Sequence, residues 1–294
     1  MKPEPPTPAP AKEKQPPVAT AIVGPNLAYL AADSDMIIHV DVAALRQGKL
    51  WPTYESHIAN RLVPNFGCDY APIRDVATVE IGVTIKTGLG VFVVRGIDRN
   101  KALQCLHKSS GAHFDGDFVT VTHGGATDIL TFVDATTMLM QKGKQPTKAT
   151  LTQVVHDGNA PLRTDQAFAA AIKRLPPHAG VTTMSRPNSE EMQSKWKPMG
   201  IEFRYFYGSM DVTNQPEVGV QLQFAMVLGT ADQATQLTTL MQAQLKSAQV
   251  NQLFDRFEVA ANGDTTNMKI GMSETKLASL VRMIDQMLPL RTDP

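Results

Sequence analysis

Hydrophobic positions along the chain alternate between two periods, and the switches between them mark out elements. Residues 36–42, MIIHVDV, are an apolar run with polar His39 and Asp41 set into it. Helical spacing follows, with Leu45, Trp51, Tyr54, Ile58 and Leu62 on one stripe. Pro64 and Gly67 close that helix. Residues 76–85 and 89–96 read as strands around the turn KTGLG. Asp98 is placed to cap a helix carrying Leu103 and Leu106. Residues 118–122 and 129–133 then flank the glycine-rich turn HGGATD, and residues 137–141 add a short strand.

A connector from 147 to 175 carries two helical patterns, TKATLTQVV and RTDQAFAAAIKRL, the second capped at Thr164 or Asp165. The earlier order of elements then returns. Residues 181–185 are a strand, and Ser189 caps a helix bearing Met192 and Trp196. Residues 201–212 and 218–228 are long strands. In the second, Val218, Val220, Leu222, Phe224, Met226 and Leu228 face one way while Gln221 and Gln223 face the other, which predicts one core face and one partly polar face. A helix over 230–248 is expected to bury Leu237, Leu240, Met241, Leu245 and Ala248. NGD at 262–264 is a hairpin turn between 257–261 and 267–272, and a last helix carries Leu277, Leu280, Val281 and Ile284.

Identity between the halves is low, but the element order repeats, so an internal duplication is the first architectural inference. The order strand, helix, strand, strand, helix, strand plus a hairpin is that of a split βαβ unit. The expected fold class is therefore α+β: two ferredoxin-like βαββαβ repeats joined edge to edge in one antiparallel sheet, helices on one face, two strand edges covered by the join. The divisions are a tail at 1–28, a first repeat at 29–146, the connector at 147–176 and a second repeat at 177–294.

Composition narrows the function classes. The 294 residues hold 28 basic and 28 acidic side chains, so the basic excess of a nucleic-acid binder is absent. Apolar residues make up 43%, enough for a sizeable core, and there is no run of about 18 apolar residues to span a bilayer as a helix. The first 17 residues, MKPEPPTPAPAKEKQPP, cannot bury apolar area. Such a segment is either a plain disordered terminus or a tether, for instance behind a lipid anchor. Cys68 in the loop NFGCDYAP and Cys105 in the helix DRNKALQCLHK fit either of two readings. One is a disulfide closing roughly 40 residues, worth about 4 kcal/mol in the chain-entropy model. The other is two buried thiols. Their spacing is neither a redox CxxC nor a zinc knuckle.

Candidate chemistry is sparse. TIKTGLGVF matches no phosphate loop and reads as a hairpin turn. FDGDF at 114–118 lacks the later oxygen ligands of a calcium loop. The seven histidines are scattered without an HExxH pair, no GxSxG elbow occurs, and Ser185, Ser189 and Ser209 have no assignable base. No cofactor signature is present. Fourteen methionines read as core filling more readily than as an adaptable surface. His39 and Asp41 share a strand face and are the one pair able to act as an acid/base or metal-orienting couple, although the second half has Thr183 and Ser185 in their place.

LAADSDMIIHVDVAALRQGKLWP, CDYAPIRDVATVEIGV and VFVVRGIDRNKALQCL resemble a loose group of uncharacterised predicted lipoproteins and secreted proteins of myxobacterial type. The resemblance covers residues 30–106. It implies an envelope location and a Cys68–Cys105 disulfide, and brings no catalytic residues. The expected function is a non-enzymatic envelope or secreted scaffold, tethered by its tail and binding a protein partner through the face around Gln221 and Gln223 or through a groove between the modules. The alternatives are a carrier of a small or lipidic ligand in a cleft between the repeats, and a hydrolase using His39 and Asp41. The expected location is the periplasm or envelope, or the cytoplasm if the disulfide is absent.

Overall fold

The structure, a computed structural model, describes residues 25–62, 70–123, 125–143, 145–158, 162–177, 179–186, 193–194, 196–212, 219–247 and 254–287. The tail at 1–24, Cys68, Pro64, Gly67 and the expected Ser189 cap with Met192 lie outside the described residues, as does Ala248. The first half contains β1 (Met36–Asp41), α1 (Val42–Arg46), α2 (Trp51–Leu62), β2 (Thr78–Thr84), β3 (Leu89–Arg95), α3 (Arg99–Leu106), β4 (Ala112–Asp115), β5 (Phe118–His123), β6 (Ala126–Phe132) and β7 (Thr137–Lys142). The connector forms α4 (Lys148–Asp157) and α5 (Gln166–Ile172). The second half contains β8 (Val181–Ser185), β9 (Phe203–Val212), β10 (Val220–Leu228), α6 (Ala231–Ser247), β11 (Arg256–Asn262), β12 (Thr265–Met272) and α7 (Glu274–Met287).

Among the described residues twelve strands join one antiparallel sheet in the order β11-β12-β10-β9-β8-β1-β2-β3-β7-β6-β5-β4. The halves meet where β1 pairs with β8, from Met36 opposite Ser185 to Val40 opposite Val181. In each half three antiparallel strands are followed by a helix and then by strands of which the last returns to the third: β3 takes β7, then β6, β5 and β4, and β10 takes β12 and then β11. This departs from the expected ferredoxin-like order. A split βαβ unit needs a crossover that sets strands parallel, whereas here the α1–α2 segment turns back and β2 runs antiparallel beside β1.

Local chemistry accounts for the element ends. The Asp98 carboxylate accepts from the Lys101 N–H at 3.0 Å and caps α3; Asp165 accepts from the Phe168 N–H at 3.0 Å and caps α5. Gly263, at φ +56°, makes the β11–β12 turn. Gly96 ends β3 at φ +93°, where a Cβ would lie 2.7 Å from the Ala77 nitrogen and the Asp75 carbonyl oxygen, so only glycine fits. FDGDF is a hairpin turn around Gly116 (φ +60°), preceded by a strand, β4, that the hydrophobic pattern does not signal.

One sheet face carries the larger core. Val40, Val79, Ile81, Val94, Met138 and Met140 pack under α1, α2 and α3, with Cys105 buried among them. On the same face of the second half Met226 and Leu228 pack with Leu237 of α6, and Val220, Ile270 and Met272 with Leu277 of α7. Leu240 of α6 is an exception to the expected stripe and stands in solvent. The opposite face is not bare either, contrary to helices on one face only. Leu151 and Val154 of α4 and Phe168 and Ala171 of α5 pack there against Ile37, Val93, Leu139 and Met184. Each of the buried Leu, Val, Phe, Ile and Met side chains contributes about 1.5–3 kcal/mol. Arg186 fastens this layer: it donates to the Ala32 carbonyl at 2.8 Å, to the Ser34 carbonyl at 3.1 Å and to Asp165, and lies over the Phe168 ring.

Candidate functional site

The connector layer covers only the middle of its face, and the polar half of β9, β10 and β12 is left beside it. Alternation assigns this face. Tyr207, Ser209 and Asp211 of β9 lie opposite Ala225, Gln223 and Gln221 of β10, and Asn267 and Lys269 of β12 lie opposite Ala225 and Gln223. The apolar residues of the same strands point into the cores under α6 and α7, as the pattern of residues 218–228 predicts. Where α5 ends, the chain runs along β9 and raises a wall. The result is a cleft of about 150 Å³ lined by Arg174 and Pro176 on one side and by Tyr207, Ser209, Gln223, Ala225, Asn267 and Lys269 on its floor and far side.

The donors in this cleft outnumber the acceptors. The Arg174 guanidinium lies 5.8 and 6.0 Å from the centres of the Tyr205 and Tyr207 rings, and donates to the Thr265 hydroxyl at 3.3 Å. Lys269 is exposed. Its cross-strand neighbour Glu258 binds Arg256, at 2.6 Å from Nη2. Among the described residues neither Arg174 nor Lys269 forms an ion pair. The Ser209 side chain is 3% exposed, and its Oγ is buried with no hydrogen-bond partner. Thr182, directly opposite on β8, is equally buried and its Oγ1 equally unpartnered. Burial pushes the Asp211 carboxyl up from its ordinary value, against an N–H bond from Gly180. Burial likewise raises the Tyr205 hydroxyl, with Arg174 pulling it back.

The same row continues inward. Glu80, His39, Thr182, Ser209, Gln223 and Lys269 occupy successive strands at one level of the sheet. At its inner end Glu80 is 1% exposed; His39 Nδ1 lies 3.1 Å from one carboxylate oxygen and Arg95 donates to the other. His39 itself is 3% exposed and so is packed rather than presented to a cleft. Asp41 is engaged elsewhere, accepting from the Ala44 N–H at 2.8 Å as the cap of α1. The two strand-face candidates thus take separate structural tasks. The described residues contain no group of three or more His, Cys, Asp or Glu side chains able to hold a metal ion.

Of the sequence candidates, Gln223 lines the cleft and Gln221 lies one level beyond it, opposite Asp211. Cys105 sits in the core beneath α3 and is not a free thiol, while Cys68 lies outside the described residues. Sequence reasoning missed Arg174, Asn267 and Lys269. The alternation TTNMKIGM in β12 marks the face of the last two, and nothing local marks the first. The junction of the halves, expected to form a carrier cleft, is spanned by a continuous β1–β8 ladder, and the cleft described above lies beyond it, between the end of the connector and the strands of the second half.

No family model and no curated protein matches the chain. Solved structures do. Crystal form I of a protein designated TP0453 aligns with a TM-score of 0.56 at 10% identity, covering 88% of this chain and 97% of that one. Crystal form III aligns with a TM-score of 0.54 at 10% identity, covering 88% and 98%. This likeness is one of fold: a mixed α+β chain built on a large antiparallel sheet.

Proposed function

We propose that this chain is a non-enzymatic binding module, held at the cell envelope by its proline-rich N-terminal segment, that engages its partner through the cleft on the polar sheet face. The observation that carries the reading is the cleft itself. Most buried polar side chains are hydrogen-bonded, yet Ser209 keeps an unpartnered hydroxyl at an opening lined by Gln223, Asn267 and two cations. An occupant that supplies the missing partner is the simplest physical reason for such an arrangement. The packing of His39 against Glu80 and the capping role of Asp41 remove the groups on which a hydrolase reading depended.

The two halves share the pairing order of five strands, the first half adding β5 and β4 at its edge, which supports a duplicated unit; their strands follow a meander in place of the split βαβ order. The cleft is built by the end of the connector and the strands of the second half, so the duplication supplies the frame, and Arg174, Pro176 and the later strands supply the site. At about 150 Å³ it suits a single side chain or a small polar molecule, well below the roughly 300–1,000 Å³ of pockets that enclose drug-sized or lipidic ligands. A partner captured by the full chain from an envelope extract and identified by mass spectrometry should be lost when Gln223→Trp fills the cleft and kept by Gln221→Ala. Equal capture by the Gln223→Trp chain, folded with an unchanged melting temperature, would sink the proposal.

A further inference from the structure

We infer that the cleft recognises an organic carboxylate. The inference rests on the reading of the cleft as a binding site and names what enters it. Its lining holds two cations, Arg174 and Lys269, and no Asp or Glu. Gln223 and Asn267 add amide donors, and the Ser209 hydroxyl can give its proton to an entering oxygen. The nearest acids are committed or set back: Glu258 binds Arg256, and Asp264 acts on Arg174 only through space. An occupant bearing positive charge would meet repulsion, and a neutral one would leave both cations without a counter-charge.

Two features favour a carboxylate over a phosphate. Phosphate sites draw on backbone N–H groups at helix N-termini or nests. The floor of this cleft is β-strand, whose N–H groups are spent in the β9–β10–β12 ladder. Only side-chain donors remain, among them a planar guanidinium fork that matches two oxygens of either anion. Arg174 is held in place for that task by the Tyr205 and Tyr207 rings and by Thr265, which limits the freedom it would lose on binding. The Tyr207 ring, Pro176 and Ala225 form the apolar part of the wall, against which a carbon skeleton can lie. Both cations are solvent-exposed, so binding weakens as salt rises through the physiological range.

The carboxylate has two possible sources, a free acid or the C-terminal end of a protein chain, and one titration separates them. The ¹⁵N-labelled full chain is titrated with benzoate, benzamide, inorganic phosphate, and one short peptide in free-acid and amidated forms, following the side-chain amides of Gln223 and Asn267. Benzoate is expected to bind saturably with a dissociation constant on the order of 1 mM, and benzamide at least roughly tenfold more weakly. Arg174→Gln and Lys269→Gln should each weaken benzoate by about tenfold with the fold intact. A free-acid peptide binding more tightly than benzoate assigns the carboxylate to a protein chain end; benzoate binding alone assigns it to a free acid. Equal binding of benzamide, tighter binding of phosphate, or benzoate affinity unchanged in both variants overturns the inference and leaves the cleft a binding site of another chemistry. Unmoved Gln223 and Asn267 resonances with every probe overturn the inference and the site together.

Discussion

Replacing Glu80 by leucine should destabilise this protein by an amount the geometry sets. The carboxylate is 1% exposed in the middle of the sheet, between His39 Nδ1 at 3.1 Å and the Arg95 guanidinium. Leucine is close in volume, so little of the loss is cavity. What remains is the Arg95 charge, 14% exposed, with no counter-charge, its second amino group reaching only the Ala28 carbonyl at 3.5 Å. Removing one member of a buried ion pair costs about 3–5 kcal/mol. The His39 nitrogen left unsatisfied lies within that sum, at roughly 1–3 kcal/mol. Replacing the whole group, as His39→Leu, Glu80→Leu and Arg95→Met together, removes every orphan and should return stability to within about 1–2 kcal/mol of the natural chain. Guanidinium denaturation of the natural chain, the single variant and the triple variant, read by far-ultraviolet circular dichroism, gives both differences. A Glu80→Leu loss below about 1 kcal/mol, or a triple variant no better than the single one, would refute the view that His39 serves a buried charge network.

The Arg186 clasp should be nearly as sensitive: Arg186→Met forfeits its bonds to two carbonyls and strands Asp165, 18% exposed, for a cost of about 2–4 kcal/mol in the same assay, and a change under 0.5 kcal/mol would contradict it. Burial pushes the Tyr70 hydroxyl, which accepts the Asp98 N–H at 3.1 Å, from 10.0 up to about 12. The neutral form is thus favoured by folding, and the stability it contributes is whole below pH 10 and lost as pH rises toward 12. Tyr70→Phe should flatten that alkaline decline, and a Tyr70 that ionises near pH 10 in the folded chain would count against the assignment. At the acid end Asp255, bonded by the Ser273 N–H and by Lys276, and Asp98, bonded by the Lys101 N–H, are held below the ordinary carboxylate value. Their contribution is present above about pH 4 and disappears as pH falls through their folded values. For the proposed Cys68–Cys105 bond, chain made in an oxidising compartment should resist alkylation under denaturing conditions until reduced; immediate alkylation of both would break the link between this chain and the envelope.

What the sequence discloses about this fold is set by the range over which each signal acts. Caps and turns depend on three or four residues, so Asp98, Asp165 and NGD at 262–264 are readable and stand where expected. Period-two alternation depends on one strand, so the two faces of β10 are readable as well. Strand order is not, because the segment between β1 and β2 is long enough either to cross over or to turn back, and both outcomes share one linear order of elements. The functional face falls between these cases. Alternation states that Ser209, Gln223 and Lys269 each point away from the α6 and α7 cores, but which of them stand level depends on the β9–β10–β12 register, a property of pairs of strands. His39 shows the same gap at the other end of the row. As a lone polar residue in MIIHVDV it invites a chemical role, and only the register that sets it opposite Glu80, with Arg95 at hand, turns it into part of a buried charge network. Arg174 is hardest of all to foresee. It follows α5 by two residues and meets Tyr205, Tyr207 and Thr265 from a helix packed on the sheet, so its place in the cleft is fixed by tertiary packing alone. A site assembled from two connector residues and three strands is therefore visible in sequence as a polar face, and becomes a set of residues only when register and helix packing are known.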